Sequence, residues 1–400
     1  MPESNETRAL FLDLLRCAVH GESFDGPLSR EAAPAVARLA REHSVLPLLV
    51  EAGGAPLHGY AAHARRLTIS QAGRTADFLL LYAFLNERGL YPAVMKGIVL
   101  RSLYPHPEQR ASTDEDLLVR PEEFPLYHSA LLDYGLAPVN PDTDLGASDE
   151  VSYVDKSRGL YIEVHKNAFP PDSDIYRDLD TLFAGALDRC TSVTVYGQPI
   201  TTLVPTDHLL YLLCHAFKHF LLSGVGIRQV CDVGMFAERF AEEIDWASVR
   251  ERCESVRIAR YSAALFRIAE RRLGFAMPPA FADLEVDESD MLADILTGGL
   301  YGTSDVNRAH SSRITRDAVT AQKQQRCRSG ALAALFPPFS SMCAGFPYLR
   351  RFPWLLPVAW IQRVWNYLFR RRHRARANPA ESVRIGRERV QLLREYGIID

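Results

Sequence analysis

Three carboxylates carry most of the chemical information in this 400-residue chain. Asp114 and Asp116 open an apolar run, Leu117-Leu118-Val119, and Glu163 is the odd acid in Leu160-Tyr161-Ile162-Glu163-Val164-His165. Side chains two apart in a β-strand share a face, so a strand here points Asp114 and Asp116 the same way. Carboxylates held that close raise each other's pKa unless a cation lies between them. The alternation by itself also fits a solvated strand face. The unbroken apolar run behind the pair argues instead for a strand buried on both faces, where bare acids are costly. With Glu163 the pair makes a cluster of the kind that holds two metal ions for in-line attack on phosphorus.

Just upstream, Val94-Met95 breaks at Lys96-Gly97 into a helix-like segment ending at Arg101. Gly97 lets a phosphate approach backbone N–H groups and Lys96 neutralises a phosphoryl oxygen, although a glycine here also serves simply to end a strand. Ser112 and Thr113 add hydroxyls and Arg110 a guanidinium. Hydrolases, polymerases and nucleotidyltransferases all use three-carboxylate clusters, and the Lys-Gly turn favours the last.

His215 and His219 stand four apart on one helical face. The zinc-protease pattern needs Glu directly after the first histidine, and here it is Ala216. Three readings stay open: satisfied core histidines, metal ligands, or a cleft wall shared with Lys218, Arg228 and Asp232 whose cations take phosphates or the acceptor. His165 shares the strand face of Glu163, either as a supporting group and proton acceptor or as a strand-end surface histidine.

Positioning these groups requires a sheet. Apolar spacing predicts helices over 8–20, 32–49 and 67–87, giving a helical N-terminal region 1–88. Short β-like runs at 91–95, 114–119, 151–155 and 160–165, a helix over 121–134, and a hairpin over 192–203 turning at Gly197-Gln198-Pro199 make up a core at 89–203. Residues 140–150 read as a surface loop. Helices over 209–222, 230–240 and 248–273 form a C-terminal domain, 204–300. The polar stretch 301–330 reads as a linker and 331–400 as a helical tail, where the helix 354–369 packs a Trp/Leu face on the body. Behind it Arg370, Arg371, Arg372, Arg374 and Arg376 form a basic cluster that fits a membrane surface or RNA phosphates. The fold class is α+β: a small mixed sheet framed by helical regions.

At 47% hydrophobic the chain can build a sizeable core, and a net charge of −3 argues against a surface made for polyanions. Seven cysteines without C-x-x-C spacing read as reduced thiols. The polar, acidic start is no signal peptide, and no run reaches the ~18 apolar residues of a membrane span. The expected compartment is the cytoplasm.

The motifs Lys96-Gly97 with Leu100, Arg110-x-Ser112-Thr113-Asp114-x-Asp116-Leu117-Leu118-Val119 and Glu163-Val164-His165 resemble the polymerase-β-like nucleotidyltransferase superfamily. They look most like a bacterial family of uncharacterised nucleotidyltransferases, and more distantly like AbiEii-type toxins. Asp207-His208, His215, Lys218-His219, Ile227-Arg228-Gln229 and Asp232 also match that family, so the resemblance spans about 30–370. It implies that Asp114, Asp116 and Glu163 hold two Mg²⁺ ions and that Glu163 helps deprotonate the acceptor. It also implies that Lys96, Gly97, Ser112 and Arg110 grip the triphosphate. The usual turn is Gly-Ser or Gly-Gly, and Gly97-Ile98 departs from it. The implied activity is Mg²⁺-dependent transfer of a nucleoside monophosphate from an NTP, ATP first, to a hydroxyl on a small molecule, peptide or protein. The rivals are an RNA-directed, tRNA-modifying enzyme and an inactive nucleotide-binding module.

Overall fold

A computed structural model describes residues 4–222, 224–300, 306–323, 346–369 and 379–400, together with Phe339 and Met342. Ser4 accepts the Thr7 amide at 3.2 Å and so starts helix α1 (Asn5–Val19). The single helix expected over 32–49 is two, α2 (Ala33–Glu42) and α3 (Leu46–Gly53). Between them Ser44 turns left-handed, at a φ of 57°, and Pro47 occupies the first turn of α3, where its missing N–H goes unneeded. Helix α4 (Ala61–Asn86) follows and runs into the sheet.

Five strands form a mixed sheet: β1 (Ala93–Val94), β2 (Glu115–Leu118), β3 (Ala137–Pro138), β4 (Glu150–Asp155) and β5 (Leu160–His165), in the order β1-β2-β5-β4-β3. Only β2 and β5 run parallel, and their register sets Asp116 beside Glu163. Between β1 and β2 lies the short helix α5 (Ile98–Arg101), and between β2 and β3 lies α6 (Phe124–Tyr134), closed by left-handed Gly135. After the small helix α7 (Arg177–Thr181) a hairpin, β6 (Cys190–Val195) and β7 (Gln198–Leu203), stands beside β1. Its two-residue turn is Tyr196-Gly197, both at positive φ, one step earlier than the sequence suggests because Gln198 and Pro199 pair within β7.

Helices α8 (Pro205–Leu222) and α9 (Ile227–Arg239) pack across the sheet. The expected 248–273 helix is also two, α10 (Trp246–Ser255) and α11 (Ala259–Leu273), separated at Arg257 with a φ of 63°. Then come α12 (Pro279–Ala282) and α13 (Ser289–Gly298). Residues 306–323, inside the stretch expected to be a linker, form α14 (Val306–Lys323). Its buried Thr315 donates to the Leu221 carbonyl at 3.2 Å, and Arg308 meets Asp294 at 2.7 Å. The last helices are α15 (Leu356–Phe369) and α16 (Pro379–Glu395).

The two sheet faces meet different cores. Leu117, Val151, Tyr153, Ile162 and Val164 pack with Phe78, Leu81 and Leu85 of α4 and Leu131 of α6. Across the sheet, Ala93, Met95 and Leu118 join the larger core of α1–α3 and α8–α11. By alternation Asp116, Glu163 and His165 lie on this second face. The Trp/Leu face expected to pack on the body does not do so throughout: Trp354 is 72% and Ile361 69% exposed. The arginines at 370–376 lie outside the described residues. Among those described, no helix is long and apolar enough to cross a membrane.

Candidate active site

The register of β2 on β5 does the first part of the work. Asp116, Glu163 and His165 each offer a ligand atom within 4.8 Å of the others, and they form the one such group among the described residues. Asp116 Oδ1 accepts from Lys96 Nζ at 2.9 Å and from His165 Nε2 at 3.2 Å. Asp116 Oδ2 is buried and has no hydrogen-bond partner among the described residues. A buried carboxylate oxygen in that state is what a cation would satisfy, so these residues fit a divalent ion.

Electrostatics say the same. Burial raises the Asp116 carboxyl, but Lys96 and His165 outweigh it and hold it below the usual carboxylate range. Glu163 is less well supported: His165 Nε2 lies 3.8 Å from its Oε2, and Lys96 lowers it only as a minor contribution. Burial first, then Asp116, Glu150 and Asp114, push it up to about 8. The cluster is short of positive charge.

Asp114 precedes the β2 ladder and lines the same cleft as Lys96, Gly97, Ser112 and Asp116. Helices α8 and α9 supply the opposite wall through His215, Arg228 and Asp232. Lys96 Nζ lies 2.9 Å from His215 Nε2, which is 3.2 Å from His219 Nε2. Burial, then Lys96, lowers both histidines, His219 to about 3, so both are neutral. Lys218 lies 4.0 Å from Glu150 at the cleft edge. Thr113 is exposed.

The two arginines among the expected phosphate ligands are held by protein groups. Arg110 closes its fork on Asp232, Nε to Oδ1 and Nη2 to Oδ2 both at 2.7 Å, while Tyr104 donates to Asp232 Oδ1 at 2.8 Å. Arg228 Nη1 donates to the Ala111 carbonyl. These contacts tie α9 to the loop that leads into β2.

The Gly97 turn shows a residue that motif reading missed. Glu115, the middle residue of Asp-x-Asp, is on the other sheet face, buried, with its Oε2 accepting the Ile98 amide at 2.7 Å and its Oε1 paired to Arg101. A Cβ on Gly97 would lie 1.8 Å from Glu115 Oε2, and the Gly97 φ is 56°. Glycine is required here by the Glu115 carboxylate, and the Ile98 N–H is occupied by protein. Behind it Arg101 donates to Ser112 Oγ, and Ser112 N–H donates to Gln71 Oε1 of α4 at 2.8 Å. Glu150, at the start of β4, was also missed; its register against His165 places its Oε2 3.6 Å from His165 Nδ1. His208 braces the site by hydrogen-bonding the Met95 carbonyl through Nε2 at 2.6 Å.

No curated protein and no solved structure matches the chain. The model of a family described as uncharacterised nucleotidyltransferases matches residues 29–274, which take in the sheet, the cleft and helices α8 to α11. With more than half its length inside that match, the chain belongs to the uncharacterised nucleotidyltransferase family and is a transferase.

Proposed function

We propose that the chain transfers a nucleoside monophosphate from an NTP, ATP first, to an acceptor hydroxyl on a small molecule, peptide or protein, releasing pyrophosphate. The observation that carries this reading is the group Asp116, Glu163 and His165, whose Asp116 lines the cleft together with Asp114 and Lys96. Asp114, Asp116 and Glu163 would hold Mg²⁺. A metal held there would supply the charge that polarises the α-phosphate and lowers the pKa of the acceptor hydroxyl. Lys96 leaves its Asp116 contact to meet a phosphoryl oxygen, and Ser112, Lys218 and Arg228 line the path of the triphosphate. Arg110 with Asp232 shapes the loop that aims Asp114. Glu163 takes the acceptor proton at a carboxylate oxygen. Catalysis of this kind is mainly positioning and charge neutralisation. The cysteines described are all free thiols, which supports a reducing, cytoplasmic setting.

The test is isothermal titration of ATP, GTP, CTP and UTP with Mg²⁺ on the wild type and on Asp114→Ala/Asp116→Ala. The expected result is metal-dependent binding of one NTP that the double variant loses, with pyrophosphate release when the acceptor is supplied. Absence of binding by all four to the wild type would overturn the reading.

A further inference from the structure

We propose that the cation site of this chain is a mixed nitrogen–oxygen site, with His165 Nε2 as a direct ligand beside the Asp116 and Glu163 carboxylates, and that it therefore prefers Mn²⁺ to Mg²⁺. This deepens the nucleotidyltransfer reading and rests on it only for the identity of the site.

Two ligands on one ion at ~2.1 Å are separated by roughly 3.0–3.4 Å. His165 Nε2 is 3.2 Å from Asp116 Oδ1 and 3.8 Å from Glu163 Oε2, so small side-chain shifts put all three on one ion. Asp116 Oδ2, buried and without a hydrogen-bond partner among the described residues, offers a further oxygen. The other ring nitrogen is supported as well. His165 Nδ1 faces Glu150 Oε2 at 3.6 Å, and metal-bound histidines are commonly oriented by a carboxylate on the opposite nitrogen. In the cation-free chain the Nε2–H points at Asp116. Moving that proton to Nδ1, toward Glu150, frees the Nε2 lone pair without changing the ring's charge. Asp114 is in the cleft but outside the group, so the nitrogen takes a place that an all-carboxylate site would give to oxygen.

The donor chemistry sets the preference. Mg²⁺ demands oxygen ligands in near-ideal octahedral geometry and sheds water reluctantly. Imidazole nitrogen adds affinity for first-row transition ions, and Mn²⁺ is among those that also suit carboxylates.

The experiment is Mn²⁺ titration of the full chain without nucleotide, followed by electron paramagnetic resonance, with Mg²⁺ as competitor. Wild type is expected to bind Mn²⁺ at least ~10-fold tighter than Mg²⁺ and to show nitrogen-14 coupling to the bound ion. His165→Gln should abolish the coupling and bring the two affinities together. Glu150→Gln, at the half-exposed cleft edge, should weaken Mn²⁺ binding ~10-fold and keep the coupling, which separates orientation of the ring from ligation. Mn²⁺ bound through Asp116 without nitrogen coupling, or with no preference over Mg²⁺, would overturn the proposal and leave nucleotidyltransfer standing. No binding of either ion, with or without ATP, would overturn both.

Discussion

Glu115 and Asp116 are neighbours in sequence, both buried, and opposite in fate. Glu115 points to the α4 side of the sheet, where Arg101 and the Ile98 amide take its two oxygens. Asp116 points toward α8, where one oxygen is held by Lys96 and His165 and the other has no hydrogen-bond partner among the described residues. Burial raises the Glu115 carboxyl and Arg101 opposes it, within a closed network that runs through Ser112 to Gln71. Asp116 faces Glu163, a second acid with too little positive charge nearby. A buried acid whose oxygens are all answered by protein is architecture. One left partly bare, beside another acid, is arranged for something that arrives from outside.

The largest effect should come from the architectural acid. Glu115→Ala leaves the Arg101 guanidinium buried and unpaired, and breaking a buried ion pair typically costs ~3–5 kcal/mol. Urea unfolding followed by circular dichroism should show that loss together with a fall in activity. A variant within ~1 kcal/mol of wild type would remove the distinction between the two acids.

Asp116→Asn should do the reverse. It loses the Lys96 pairing but also relieves repulsion against Glu163, so the free energy of unfolding should fall by less than in Glu115→Ala. Turnover should fall at least ~10²-fold, as when other preorganised electrostatic groups are removed. Unchanged pyrophosphate release would eliminate Asp116 from the chemistry. A stability loss as large as that of Glu115→Ala would make it a second structural acid.

Gly97→Ala sharpens the comparison by attacking the contact between the two faces. The new methyl would meet Glu115 Oε2 and hold a φ that L residues rarely adopt, at a cost of ~1–3 kcal/mol. Because the clash is with Glu115, the double variant Gly97→Ala/Glu115→Ala should cost less than the sum of the singles. Strict additivity in urea titrations would show that the glycine is needed for its backbone alone.

These contrasts also mark how far the sequence could be read. Period-two alternation was enough to put Glu163 and His165 on one strand face, because side-chain direction in a strand is local. The α+β class and the helical frame followed from local periodicity as well. The parallel pairing of β2 with β5 joins segments about 45 residues apart, and no local pattern encodes it; with it went the closeness of His165 to Asp116 and of Glu150 to His165. Glu115 was overlooked because a motif spelled Asp-x-Asp treats its middle residue as filler. The α2–α3 break was legible in Pro47, whereas α14 has a polar sequence stabilised by contacts with distant chain, such as Thr315 on Leu221.

A third kind of buried polar group completes the comparison with the smallest effect. His43 is buried among apolar residues, its ring tilted against Phe11 at 5.4 Å between centroids, away from the cleft. Burial lowers its pKa to about 4, from an ordinary value near 6.5. The folded chain therefore keeps it neutral while the unfolded chain protonates it between those two values. Its contribution to stability is complete above pH 6.5 and is lost as pH falls toward 4. Between pH 7.5 and 5.5 that amounts to about 1 kcal/mol. The cation-free Glu163, pushed up to about 8, acts in the opposite sense, since its protonation relieves the folded state as pH drops. Comparing wild type with His43→Leu in urea at each pH cancels the shared contribution of Glu163. The stability of the wild type relative to the variant should decline by about 1 kcal/mol across that interval. A flat difference would mean that His43 takes up its proton as readily in the fold as in the unfolded chain, so that burial does not hold it neutral.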